Sequence, residues 1–286
     1  MMPTASAHDL RSYVTVGQEN STPIDLYYED HGAGKSVVLI PGFAQNGASW
    51  EKQTRALLAA GHRVITYDRR GFGRSSQPAT GYDYDTFAED LHKLITELDL
   101  RDAALVGFSM GGGEVARYLG SYGSERVRKA VFISPIVPLV LKTPDNPAGV
   151  ESKVFEGIAA AVEADRPAFL SGFFKDFYNL DVLGGKLISD QAVQQSWTVA
   201  VAASAIATHD CVATWMTDFR KDVPRVDVPV LVIQGDADRI VPFAATGLAL
   251  SKAIKGARLV TIEGGPHGIL WTHGDQVAAE LVRFLE

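Results

Sequence analysis

The chain has 286 residues, enough for one large α/β domain with an insertion, and a composition of 46% hydrophobic and 21% charged residues is ordinary for a globular protein. A formal net charge of −7 without a basic stripe argues against partners such as nucleic acid or an anionic membrane surface. Cys211 is the one cysteine, which excludes an intrachain disulfide; no stretch approaches the roughly 18–20 apolar residues of a membrane span, and residues 1–10 are polar, so a cytoplasmic protein is expected.

Residues 13–16 and 24–30 read as strands joined by the polar turn 17–21. Ile24, Leu26 and Tyr28 alternate with Asp25, Tyr27 and Glu29, the pattern of a half-exposed antiparallel pair at a sheet edge. Gly32-Ala33-Gly34-Lys35-Ser36 looks like a phosphate loop. It fails the motif, because the first glycine is replaced by Glu29 and the segment runs into the apolar strand 37–40 instead of opening a helix. Pro41-Gly42-Phe43-Ala44-Gln45-Asn46-Gly47 follows, then a helix over 50–60 that stops at Gly61. The next strand, 63–67, ends in Asp68-Arg69-Arg70-Gly71-Phe72-Gly73-Arg74-Ser75. Gly71-x-Gly73 is no dinucleotide site, since Ser76 stands where the third glycine belongs. A helix is expected over 87–98, with Phe87, Leu91, Leu94, Ile95 and Leu98 on one face.

Residues 103–106 then form a short apolar strand, and a helix begins near Ser109. Between them sits Gly107-x-Ser109-x-Gly111. So sharp a strand-to-helix turn strains its tip residue, and the positions two before and two after need glycine. The strain lifts the serine hydroxyl clear of the sheet and aims the Met110 N–H into the same space, beside a helix N-terminus. A strand at 129–133 follows, and the rhythm breaks at Ser134-Pro135. Residues 137–223 contain no convincing strand. They read as helix at 154–164 and 190–216, separated by Phe169, Phe173, Phe174, Phe177 and Tyr178. Strand 228–234, helix 243–254, strand 258–262 and helix 275–285 complete the pattern. Alternating strands and helices imply right-handed crossovers and a mostly parallel sheet. The expected organisation is an α/β core over 1–136, a helical cap over 137–223, and the rest of the core over 224–286.

A serine hydroxyl is a weak nucleophile. It needs a base within hydrogen-bond reach, and the base needs a carboxylate to orient it. In an open α/β sheet, active residues lie at the carboxyl ends of strands. Strand 228–234 is followed by Gly235-Asp236-Ala237-Asp238, and strand 258–262 by Glu263-Gly264-Gly265-Pro266-His267-Gly268. His267, flanked by glycines on a loop, suits the base better than His273, which lies near the start of the last helix. Asp236 and Asp238 both remain open as the acid: Asp236 is nearer the strand end and suited to closing the turn, and Asp238 lies farther out. The second oxyanion donor is expected from the loop after strand 37–40, which makes the Phe43 N–H the candidate. No His, Cys or acid cluster has metal-ligand spacing, so neither metal nor cofactor is expected.

Pro41-Gly42-Phe43, Asp68-x-Arg70-Gly71-x-Gly73-x-Ser75, Gly107-x-Ser109-x-Gly111-Gly112, Gly235-x-x-Asp238 and Gly265-Pro266-His267-Gly268 together resemble the α/β-hydrolase superfamily. The runs 67–75 and 109–118 are similar to the cofactor-free (non-haem) haloperoxidases, serine esterases with perhydrolase activity whose relatives include γ-lactamases. The resemblance covers nearly the whole chain. It implies an eight-stranded sheet with a helical cap and favours Asp238 as the acid. Many members have His-Gly where this chain has Pro41-Gly42. That histidine supplies a side chain near the oxyanion hole and not the N–H, so the departure bears on loop shape and substrate preference.

The resemblance implies acyl transfer through Ser109, His267 and Asp238, with peracid formation when hydrogen peroxide replaces water and bromide or chloride oxidation by the peracid. Expected partners are a small ester, lactam, or carboxylic acid plus peroxide, and a homodimer or homotrimer is open. The aromatic cap should line an apolar pocket, with Phe108, Ile136, Phe173, Trp197 and Trp215 as candidates. Two alternatives stand beside this reading: a hydrolase-fold receptor with slow turnover, and a C–C bond hydrolase.

Overall fold

The computed structural model describes residues 12–286, so the polar segment 1–10 lies outside the described residues. The strands are β1 (Tyr13–Glu19), β2 (Thr22–His31), β3 (Ser36–Ile40), β4 (Arg63–Tyr67), β5 (Ala103–Phe108), β6 (Val127–Ile133), β7 (Val230–Gly235) and β8 (Arg258–Ile262). Among the described residues they form one eight-stranded sheet in the order β1-β2-β4-β3-β5-β6-β7-β8. β1 with β2 and β2 with β4 pair antiparallel; every other neighbour is parallel. Alternation in β2 buries Ile24, Leu26 and Tyr28 and leaves Asp25, Tyr27 and Glu29 partly wet. By contrast β3, β5 and β7 are buried at every residue, as strands covered on both faces must be. The register sets Ile40 beside Gly107 and Phe108 beside Ile133, which brings the carboxyl ends of the central strands together.

A 3₁₀ turn at Gly47–Trp50 leads into α1 (Glu51–Ala59). α2 (Tyr84–Glu97) begins three residues before the expected start, because Asp83 accepts a hydrogen bond from the Thr86 N–H at 2.9 Å and caps it there. α3 (Met110–Tyr122) follows β5 directly. Between β6 and β7 come α4 (Ser152–Phe177), α5 (Leu180–Leu183), α6 (Asp190–Val201) and α7 (Ala205–Thr214). The chain closes with α8 (Gly247–Ala253), α9 (Ile269–Thr272) and α10 (Gly274–Leu285), the last packed on α1. No helix among the described residues is long and apolar enough to cross a membrane.

Residues 137–223 differ in detail from the sequence expectation. The helix expected at 154–164 is only the front half of α4. Asp165 leaves helical geometry (φ −158°, ψ 85°) and Pro167 has no N–H to give, yet Asp165 Oδ1 accepts from the Ala168 N–H at 3.0 Å and restarts the helix. The aromatic run therefore lies largely within α4 and does not separate two helices. The stretch expected as one helix over 190–216 is two. Ser204 breaks it, its hydroxyl accepting from the Ala207 N–H at 3.3 Å at the start of α7. α8 also begins later than expected, at Gly247.

Cys211 is wholly buried in α7, and burial pushes its thiol pKa up to about 12. Iodoacetamide at neutral pH is therefore expected to leave the native protein unmodified and fully active. Alkylation should appear only after unfolding, and intact-mass measurement before and after denaturant checks this.

Candidate active site

β5 ends at Phe108 and α3 starts at Met110, so Ser109 alone makes the turn. Its φ of 54° with ψ of −115° is a conformation that costs about 1–3 kcal/mol for a residue with a side chain. Neighbours hold it there. The Ser109 N–H donates to Ile133 O at 2.8 Å, and the Gly112 N–H donates to Ser109 O at 2.9 Å. A Cβ on Gly107 would lie 2.4 Å from Gly111 O, and one on Gly111 would lie 2.4 Å from Ile40 O. Only glycine fits at either position, because strand and helix backbones touch there.

Ser109 Oγ lies 2.9 Å from His267 Nε2, and His267 Nδ1 lies 2.8 Å from Asp238 Oδ2. The imidazole and the carboxylate are buried, with side-chain exposures of 1% and 0%, so the His267–Asp238 hydrogen bond is shielded from water. A carboxylate can only accept, so Nδ1 carries the proton and Nε2 is left free to accept from the serine hydroxyl. Asp238 is itself held in place. Its Oδ1 accepts from the Ile240 and Val241 N–H groups at 2.9 and 3.0 Å, and its Oδ2 accepts from Gln234 Nε2 at 3.2 Å. Gln234 also reaches Val241 O, Thr246 Oγ1 and the Gly247 N–H. Sequence reasoning passed over Gln234, although a buried amide ending the run Val-Leu-Val-Ile is a signal in itself.

Asp236 takes a different position. Its Oδ1 accepts from the Gly264 N–H at 2.7 Å, tying the β7 loop to the β8 loop. His273 is also elsewhere, bonded to its neighbour Thr272. Burial lowers the pKa of the His273 ring and favours its neutral form.

The His267 ring packs against Phe108, at 5.2 Å between centroids, and against Phe177, at 5.1 Å, and these two rings also meet edge-on at 6.0 Å. Ser134 Oγ donates to His267 O at 3.2 Å. The C-terminal end of α4 is fastened to both loops. The Gly268 N–H donates to Phe177 O at 2.8 Å, Asn179 Nδ2 donates to Ala237 O at 2.9 Å, and Arg239 pairs with Asp181 at 2.8 Å.

The Met110 N–H stands at the first position of α3, where no intrahelical acceptor exists. Neither it nor the Phe43 N–H has a hydrogen-bond partner among the described residues. Behind the Phe43 loop, Pro41 O accepts from Arg69 Nη2 at 2.7 Å. Arg69 Nε in turn donates to Glu114 Oε2 at 2.8 Å, and the Tyr67 hydroxyl donates to the other carboxylate oxygen. Both charged side chains of this pair are 1% exposed, so removing one would leave the other buried and uncompensated, a loss of about 3–5 kcal/mol. Burial, reinforced by the Glu114 charge, raises the Tyr67 phenol pKa well above its usual value and keeps it a donor. The network links the loop after β3 to the helix that starts at the serine. Sequence reading missed it, since 45 residues separate Arg69 from Glu114.

Ser109 opens into a cavity of about 540 Å³ with largely apolar walls. Phe43, Ile136, Phe173 and Trp215 line it. Phe43 meets Trp215 edge-on at 4.6 Å and Phe173 at 5.9 Å. Two residues expected in the pocket are not on its walls. Trp197 lies in a separate surface hollow with Phe174 and Asp190, and its indole N–H donates to Pro167 O at 3.1 Å. The reason is helical phase: α6 turns Ala192, Ser196 and Ala200 inward, so residue 197 points away. Phe108 is 1% exposed and packs behind the site against Trp50 and His267, supporting the imidazole without facing the cavity. Among the described residues no group of three or more His, Cys, Asp or Glu side chains is placed to hold a metal ion.

Comparison with known proteins gives a consistent picture. Residues 35–274 match the α/β-hydrolase fold family. A provisionally named non-heme chloroperoxidase of Synechocystis sp. is 63% identical over 274 residues, covering 96% of this chain and 99% of the relative. A bifunctional esterase/perhydrolase of Acinetobacter calcoaceticus is 34% identical, covering 92% of this chain and 96% of its own length. The crystal structure of a bromoperoxidase from Bacillus anthracis superposes with a TM-score of 0.91 at 45% identity, covering 96% of this chain and 98% of that one.

Proposed function

This chain belongs to the α/β-hydrolase fold family, and from that premise we propose that it is a serine hydrolase of small carboxylic esters with perhydrolase activity. The observation that carries the reading is the hydrogen-bonded chain Ser109–His267–Asp238 opening into an apolar cavity. In the proposed reaction, Ser109 Oγ attacks the ester carbonyl while His267 Nε2 takes its proton. Asp238 holds the imidazole in the required tautomer. The Met110 and Phe43 N–H groups receive the tetrahedral oxyanion, each worth about 3 kcal/mol in the transition state. His267 then protonates the departing alcohol. Water cleaves the acyl-enzyme to the acid, and hydrogen peroxide cleaves it to the peracid. The peracid, a proton and bromide yield hypobromous acid and the carboxylic acid, which becomes available for another cycle. Residues 137–223 act in this reading as a cap that keeps bulk water from the acyl-enzyme. The single, buried thiol supports a cytoplasmic location.

A fluorophosphonate probe tests the reading. One probe per chain should attach, at Ser109 by peptide mass spectrometry, and should block both p-nitrophenyl acetate hydrolysis and the bromination of monochlorodimedone in acetate, peroxide and bromide. Labelling at another residue, or full activity after labelling, would overturn it.

A further inference from the structure

The second half of α4 turns one face to the active-site cavity. Phe169, Gly172, Phe173 and Asp176 all line it, and their spacing is the i, i+3, i+4, i+7 of a single helical face. Gly172 sits in the middle of that face. A helix interior is a poor place for glycine, second only to proline in cost. Helices commonly keep glycine where a neighbour leaves no room. Gly113 in α3 is such a case, since a Cβ there would lie 2.6 Å from Phe219 and 2.7 Å from Tyr84. Gly172 differs: beyond its chain neighbours and its own helix backbone, a Cβ built on it meets no heavy atom within 4 Å. Its backbone is ordinary helix, so no unusual φ requires glycine either.

Packing and conformation leave both Gly172 and Gly157 of this helix unaccounted for, and of the two only Gly172 borders the cavity. Phe169 and Phe173 flank it on the same helix, and Phe155 and Ile158 line the cavity from the front half of α4. The cavity, at about 540 Å³, is far larger than an acetyl group needs. At its edge the Arg239 guanidinium is already engaged, 2.8 Å from Asp181 and 4.0 Å from Asp176, and offers no free cation to an anionic substrate. We propose that Gly172 is a specificity-determining position. Its missing side chain keeps open a bay for the bulkier half of an uncharged ester, a branched or aryl group. This rests on the reading of Ser109 as an ester-cleaving nucleophile.

The test compares Gly172→Val and Gly172→Ala with Gly157→Ala. Gly157 lies in the front half of the same helix, is absent from the cavity wall, and likewise leaves a Cβ free of contacts. Two substrate series are measured: p-nitrophenyl acetate against p-nitrophenyl benzoate, and methyl acetate against 2-naphthyl acetate. In Gly172→Val the bulky-to-small ratio of kcat/KM should fall at least tenfold in one series, and in Gly172→Ala by a smaller factor. Gly157→Ala should keep both ratios of the parent. Both alanine variants should melt about 2 °C higher, the ordinary gain of alanine over glycine in a helix, which shows that the selectivity change is not misfolding. Ratios in Gly172→Val within twofold of the parent in both series would overturn the proposal while leaving Ser109 chemistry intact. A parent protein that neither hydrolyses any of these esters nor takes up the fluorophosphonate would overturn both.

Discussion

Ser109→Ala is expected to abolish ester hydrolysis and bromide-dependent halogenation together. In the proposed reaction both products leave from the same acyl-enzyme, so removing Oγ removes the atom on which the acyl group is carried. The loss in turnover should be roughly 10⁶-fold, the scale seen when a hydrolase nucleophile of this kind is deleted. The imidazole would lose its 2.9 Å partner but keep Asp238 and the rings of Phe108 and Phe177 around it, so the fold should persist. Parallel measurement of p-nitrophenyl acetate cleavage and monochlorodimedone bromination, with circular dichroism as the folding control, decides the matter. Bromination that persisted in the variant with acetate present would sever the two activities.

Asp238→Asn should lower turnover by about 10⁴-fold with little change in fold, the cost found when a triad carboxylate becomes an amide. The surroundings of Asp238 explain why the amide cannot adapt. The Ile240 and Val241 N–H groups demand an acceptor at the Oδ1 position. The amide nitrogen must then occupy the Oδ2 position, facing Gln234 Nε2 and His267 Nδ1. His267 would relieve the clash by moving its proton to Nε2, the nitrogen that has to accept from Ser109. Asp236→Asn should be nearly silent, because its amide oxygen can still accept from the Gly264 N–H. Steady-state rates for the two variants form the check, and a reversed order would transfer the acid role to Asp236.

Local signals are what a sequence displays best. Glycine-x-serine-x-glycine between an apolar strand and a helix is legible because the steric conflict behind it spans only five residues. The parallel rhythm is legible too, since fully buried strands such as 103–108 and 230–235 must be apolar throughout. The choice between Asp236 and Asp238 is not written in the residues, because both lie on one loop and only the loop's path decides which faces the imidazole. The placement of Trp197 failed for a related reason. Reading 190–216 as one helix hides the break at Ser204, and with it the phase that turns Ala192, Ser196 and Ala200 inward. The Arg69–Glu114 pair, distant in sequence, becomes visible only when β4 and α3 are packed together.

The two halves of α4 carry different obligations. The rear half is bound through Phe177 to the loop that holds His267, and just beyond its end Asn179 and Asp181 are bound to the loop that holds Asp238. Both halves supply cavity wall, Phe155 and Ile158 from the front and Phe169, Gly172 and Phe173 from the rear, but no hydrogen bond among the described residues joins the front half to those loops. Mutations at Phe155 or Ile158, before the bend at Asp165, change the cavity wall without touching the hydrogen bonds that hold His267 and Asp238. Substrate range and chemical competence are therefore heritable as separate traits. A lineage can explore new esters by drift at cavity-wall positions such as Phe155, Ile158 and Gly172, while selection guards Ser109, His267 and Asp238.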